Sequence, residues 1–193
     1  YETYQRVLNE AVNELKTQEF SSLYEDEIKQ STEGEGSFFV EDCNVESDIP
    51  MFFPETYVPG VSERIMLYRE LDSISDDSEL QRYRQRLADR FGTPPRQAEA
   101  LMLMPALRRK ARALGVEKVF MKNMSMTLFF VSNNASPFYK SNTFGNIIDY
   151  AMKHLHRCKL DETNGKRKML IANIPTPEAA ITVLDEILVK KED

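Results

Sequence analysis

Tryptophan is absent from these 193 residues, cysteine and histidine occur twice each, and glycine only seven times. Each scarcity excludes something. Cys43 and Cys158 stand in segments of different character and are expected as free thiols rather than a bridge. No Gly-rich phosphate loop followed by Lys and Ser or Thr occurs, and Gly34-Glu35-Gly36 is acidic enough to repel a phosphate. No apolar run approaches the roughly 18 residues of a membrane helix. The first residues read as neither a signal nor a transit peptide, so a cytoplasmic location is expected. Tyr1 already falls in phase with a helical apolar pattern, which reads as a piece of a longer polypeptide.

What is present is the material of a globular core. Hydrophobic residues make up 41% and charged residues 29%, and a chain of this length can bury a core without disulfide or metal staples. One domain over residues 1–193 is expected. The net charge of -6 is uneven: residues 1–50 carry 13 acidic against 3 basic side chains, whereas residues 80–123 carry 11 basic against 3 acidic. A basic segment inside an acidic chain can bind nucleic acid, meet an acidic protein, or face the chain's own acidic half.

Apolar residues at spacings of three and four place Tyr1, Tyr4, Val7, Leu8, Ala11, Val12 and Leu15 on one stripe of an opening helix. Residues 17–36 are polar and acidic and read as a mobile loop. Phe38 to Val45 reads as a strand, and Ile49 to Phe53 as an extended piece ending at Pro54. A helix is predicted from about Val61 to Leu71, with Val61, Ile65, Tyr68 and Leu71 on its buried side. Another begins near Ser78, with Leu80, Tyr83, Leu87 and Phe91 inward and Arg82, Arg86 and Asp89 outward. Gly92 and Pro94-Pro95 end it.

Residues 96–115 are helical in pattern, with Pro105 expected to kink the helix or start a new one. Val116–Met121 and Ser125–Val131 read as a hairpin around Asn123. Phe144 to Leu155 mark a further helix, Met169–Ala172 a strand, and Thr176-Pro177 the start of a last helix burying Val183, Leu184, Ile187 and Leu188. Helices and strands come in blocks, so the expected class is α+β, with amphipathic helices packed on a small, largely antiparallel sheet.

The search for chemistry finds little. His154, His156 and Cys158 would put two ligands one turn apart on a helix, but no second cluster completes a metal site, and cations at a helix end explain them more simply. No nucleophile elbow or Cys-His context stands out. Asp26-Glu27 and Asp76-Asp77 lie in polar stretches suited to solvated charge. Arg82, Arg84, Arg86, Arg90, Arg108, Arg109, Lys110 and Arg112 are available to phosphates, yet no aromatic platform is interleaved with them. Lys166-Arg167-Lys168 reads as a short basic turn. No cofactor is expected.

One ordered set of motifs is more specific: Pro54-Glu55-Thr56-Tyr57-Val58-Pro59, then Glu63-Arg64-Ile65-Met66-Leu67-Tyr68-Arg69, then Leu87-Ala88-Asp89-Arg90-Phe91-Gly92-Thr93-Pro94-Pro95. Together with the opening helix and Leu107–Val116, this set resembles the C-terminal domain of the bacterial transcription-repair coupling factors. The match is good to about Val131 and loose beyond. The resemblance implies a parent that is an ATP-driven translocase on double-stranded DNA. That parent displaces stalled RNA polymerase and recruits excision repair through UvrA. The terminal domain would itself be non-catalytic, packing on the UvrB-like N-terminal module of the same polypeptide and masking its UvrA-binding surface. The family's contact helix carries over to Asp89 and Arg90. Many relatives have Glu three residues before that Asp; here Arg86 stands there, which implies a compensating change in the partner.

An autoinhibitory interaction domain is therefore the leading expectation. Its rival is a nucleic-acid-binding module using residues 82–112, and a hydrolase with a spatially assembled site ranks third. Read without the resemblance, Asp89 and Arg90 would only decorate a helix end.

Overall fold

Five segments pair into one mixed sheet in the computed structural model, which describes residues 39–189. They are β1 (Asn44–Ser47), β2 (Val116–Lys122), β3 (Ser125–Phe130), β4 (Cys158–Thr163) and β5 (Lys166–Ala172), in the spatial order β1-β2-β3-β5-β4. β1 runs parallel to β2, and every other pairing is antiparallel. The opening helix and the loop at residues 17–36 lie outside the described residues.

The β2–β3 hairpin forms where expected. Its turn places Asn123 at φ 53° and Met124 at φ 58°, the left-handed geometry that matches strand twist in two-residue hairpins. Glu117 interrupts the register between Val116 and Lys118, so Val116 points into the core while Val119 and Met121 still alternate inward.

Six helices complete the described residues: α1 (Val61–Asp72), α2 (Asp77–Phe91), α3 (Arg96–Met102), α4 (Met104–Ala113), α5 (Asn142–Lys153) and α6 (Pro177–Leu188). The architecture is α+β. α4, α5 and α6 cover one face of the sheet around a core that includes Leu107, Met126, Leu128, Ile147, Met169 and Leu184. α1, α2 and α3 enclose a second core built on Phe53, Val58, Leu71, Leu80, Tyr83, Leu87 and Met102. The two layers meet where α3 gives way to α4 at Leu103. Pro105 sits in the first turn of α4, where its missing N–H costs nothing, so the proline starts a helix rather than kinking one.

Four expectations need correction. The strand expected over Phe38 to Val45 begins only at Asn44. Val61 and Ile65 of α1 are exposed, whereas Leu71 is buried and Tyr68 turns inward as expected, with Leu67 joining them. The helix holding His154 stops at Lys153, and Cys158 opens β4. Lys166-Arg167-Lys168 is the first part of β5 rather than a turn.

Cys43 and Cys158 are free and buried. Burial, reinforced by the Asp42 charge, pushes the Cys43 thiol up to about 12. The folded state thus keeps a proton that an unfolded thiol releases near 9.0. This contribution to stability is whole below pH 9 and is lost as the pH rises toward 12. At pH 8 both thiols of the folded chain are expected to react with a disulfide reagent at least about tenfold more slowly than in denaturant. Rapid reaction of two thiols per native chain would contradict their placement.

A candidate docking surface on the first two helices

Asp76 accepts a hydrogen bond from the Glu79 amide at 2.8 Å and caps α2. That amide, with the Ser78 hydroxyl, holds its carboxyl below the ordinary carboxylate value. Leu80, Tyr83 and Leu87 then recur on the inward side, each burial worth about 1.5–3 kcal/mol. The Tyr83 hydroxyl donates to the Leu67 carbonyl of α1 at 2.9 Å, and burial raises its pKa. Gly92 adopts φ 86° beyond the last turn, where its N–H reaches the Ala88 carbonyl at 3.0 Å.

The motif before α1 is structural. The Tyr57 and Val58 amides both donate to the Pro54 carbonyl at 2.9 Å, and the Arg64 guanidinium ties the turn down by donating to the carbonyls of Val58 and Pro59. The Tyr57 hydroxyl donates to the Gly92 carbonyl at 2.8 Å, and Tyr68 accepts from the Phe53 amide at 2.9 Å. These bonds fix the end of α2 against the start of α1.

What the two helices present outward is a groove of about 250 Å³. Met66, Leu67, Leu87 and Phe91 form its apolar lining, and Met66 is 69% exposed. Its rims are charged: Arg86 pairs with Glu70, and Arg90 with Glu63 at 3.1 Å. The Arg90 guanidinium also lies 5.0 Å from the Phe91 ring centre. Asp89 is exposed and accepts from the Gln85 side chain at 2.9 Å, but it has no cationic partner among the described residues. Asp89 and Arg90, carried over by the resemblance, thus share the last turns of one helix with Arg86, where the chain departs from the family's Glu. Glu63, Glu70 and Met66 were missed as parts of the site. Glu63 and Glu70 enter the site only through the packing of α1 against α2, which no spacing within either segment announces.

Much of the rest of the basic segment faces the chain's own acids, although Arg82, Arg96 and Arg112 make no ion pair among the described residues. Arg84 pairs with Glu99 at 3.0 Å, Arg108 with Asp72 at 3.8 Å, Arg109 with Asp77 at 3.5 Å, and Lys110 with Asp185 at 2.5 Å. Of the three readings of this segment, internal neutralisation describes it best. His154 is the cap residue of α5, with Nδ1 2.8 Å from the Tyr150 carbonyl, and no metal-binding group of His, Cys, Asp and Glu exists among the described residues. A cleft of about 470 Å³ between Ile49-Pro50, α3 and the start of α6 contains no histidine or cysteine. Gly34-Glu35-Gly36 and Asp26-Glu27 lie outside the described residues. None of the described helices is long and apolar enough to cross a membrane.

A family model described as TRCF domain matches residues 47–141, which span α1 to α4 and the β2–β3 hairpin. Among curated proteins, the transcription-repair-coupling factor of Escherichia coli (strain K12) is 32% identical over 119 residues, covering 62% of this chain and 9% of that protein. The protein of the same name from Rickettsia typhi (strain ATCC VR-144 / Wilmington) is 27% identical over 163 residues, covering 84% and 13%. The chain spans about a tenth of the length of these relatives. A crystal structure of the C-terminal domain of transcription-repair coupling factor superposes with a TM-score of 0.58 at 17% identity. It covers 76% of this chain and 93% of that one, a likeness of fold.

Proposed function

The chain belongs to the transcription-repair-coupling factor family through its TRCF domain, and on that premise we propose that it is the non-catalytic, autoinhibitory domain of a larger repair protein. The parent is an ATP-driven translocase on double-stranded DNA that displaces stalled RNA polymerase and recruits UvrA. This domain docks on the parent's UvrB-like module and hides the UvrA-binding surface until the motor engages. Asp89, Arg90 and Arg86 form the contact.

The observation that carries this reading is Asp89, an exposed carboxylate with no cation partner among the described residues, next in sequence to Arg90, which lines a charged, partly apolar groove. Glu63, Glu70, Arg86 and Arg90 neutralise one another, so the charge left to address a partner is negative and the partner should offer a cation there. A groove with polar rims also suits a contact that must release. Coupling between such states is typically about 1–3 kcal/mol.

The test is a binding titration between this chain and the UvrB-like module of the same parent. Asp89→Arg is expected to weaken binding by about tenfold, equivalent to about 1.4 kcal/mol. Arg90→Glu should weaken it too. Neither exposed substitution should change folding stability by more than about 0.5 kcal/mol, because the Arg90–Glu63 pair is solvent-screened. If both variants bind as tightly as the wild type, Asp89 and Arg90 are not the contact.

A further inference from the structure

Among the described residues, helices cover only one face of the sheet, and the opposite face has an unusual composition. Alternation sends Lys118, Phe120 and Lys122 of β2 outward, together with Thr127 and Phe129 of β3 and Lys168 and Leu170 of β5. Phe120, Phe129 and Leu170 belong to neither core. Register pairs Phe129 with Lys118 on one side and Lys168 on the other, and Phe120 with Thr127. The two rings are therefore diagonal neighbours, about 7–8 Å apart along the sheet. Lys118 Nζ lies 5.7 Å from the Phe120 ring centre and 5.9 Å from that of Phe129, and Lys168 Nζ lies 5.9 Å from Phe129.

We propose that this open sheet face binds single-stranded nucleic acid, stacking two unpaired bases on Phe120 and Phe129 while the surrounding lysines hold the phosphates. Phenylalanine rings flanked by cations are the combination that sequence-tolerant single-strand binding uses, because every base offers a flat face and every nucleotide a charge. The cations remain in excess. Lys118 is balanced by Glu46 at 3.1 Å and Lys168 by Asp161 at 3.7 Å. Lys122, Lys159 and Lys166 are exposed and have no ion pair among the described residues. Thr127 and Ala172 beside them are small, and the Lys118 and Lys168 side chains that lie over the half-buried rings are flexible enough to move to the phosphates as bases stack.

A protein partner fits this face less well. Protein interfaces are depleted in lysine and enriched in arginine, whereas β2, β4 and β5 turn five lysines and no arginine to this side; Arg167 of β5 points the other way, 4.3 Å from the Tyr139 ring centre. A duplex fits less well too, because its bases are already stacked on one another. The face is separate from the α1–α2 groove, so this inference stands independently of the masking function.

The test uses the whole 193-residue chain and a fluorescent oligothymidylate of about 12 nucleotides, within the usual site size, followed by anisotropy from low to physiological salt. Binding is expected, with the same sequence as a duplex held at least about tenfold more weakly. Phe120→Ala with Phe129→Ala should weaken single-strand binding by about tenfold or more, in line with the removal of one or two stacking platforms, and should leave the salt slope unchanged. Lys122→Gln with Lys159→Gln should lower the slope of log affinity against log salt by about 1.4, or about 0.7 for each phosphate no longer neutralised. Thermal unfolding of each variant checks that the outward substitutions leave the fold intact. Absence of binding at low salt overturns the proposal, as it would if another segment or a protein partner owned this face. Binding that ignores the loss of both rings overturns it equally, because charge alone would then explain it.

Discussion

Gly115→Ala is expected to destabilise the chain by about 3 kcal/mol or more. Gly115 joins α4 to β2 at φ 69°, a conformation that costs an L-residue about 1–2 kcal/mol. A methyl group there would also run into Phe138, at 2.5 Å from ring carbon Cζ and 2.7 Å from Cδ2. Phe138 cannot step aside. It is fully buried and packed against Phe39, Phe130, Tyr139 and Phe144, with ring centres 5.2 to 6.3 Å away. Denaturant unfolding measures the loss. Combining Gly115→Ala with Phe138→Leu should cost less than the two single changes added together, because the smaller side chain relieves the overlap. A Gly115→Ala chain as stable as the wild type would mean that this close approach is absent in solution.

Tyr83→Ala should have a comparable effect of about 3–5 kcal/mol, the usual range for removing a buried aromatic side chain. Its loss should be felt in one layer first. Tyr83 is the largest side chain wholly inside the α1–α3 core, and its hydroxyl is tied to Leu67. Hydrogen exchange is expected to accelerate across α1, α2 and α3 while the amides of β2 and β3 stay protected. Tyr83→Phe, which removes only the hydroxyl, should cost about 1 kcal/mol. Since Tyr83 also lines the groove, the alanine variant should lose docking and the phenylalanine variant should keep most of it. Uniform acceleration of exchange through both layers would mean that the two cores unfold as one.

Much of this architecture was legible in the sequence. Asp76 and Gly92 bracket α2, Thr176-Pro177 begins α6, and the Asn123 turn lies between two strands, because caps and tight turns are set by local chemistry. β4 went unread because its residues after Cys158 are all exposed, so no apolar alternation marks it. Asn164-Gly165, with φ 54° and 74°, was the cue that could have revealed its hairpin with β5. β1 was displaced toward the C-terminus because its partner is distant, and pairing across a fold is invisible to local pattern. The apolar positions of α1 misled for a related reason: Val61 and Ile65 have the right period, but no described element packs over them. For the docking surface, Asp89 and Arg90 came from the motif and Arg86 from its departure from the family's Glu, whereas the opposing Glu63 and Glu70 emerged only when α1 and α2 were brought side by side.

The parallel pairing of β1 with β2 shapes the order in which the chain folds. Asn44 aligns with Lys118 and Ser47 with Met121, and four helices intervene in sequence. Closing so long a loop carries an entropic penalty that a four-residue strand can repay only after β2 already stands as a template. The β2–β3 and β4–β5 hairpins need only short-range closures and can form early, and the β3–β5 pairing that joins them, Ser125 with Ala172 and Phe129 with Lys168, closes a shorter loop than β1 does. β1, although made first at the ribosome, is among the last pieces to find its place, and until then the outer edge of β2 stays open to other strands.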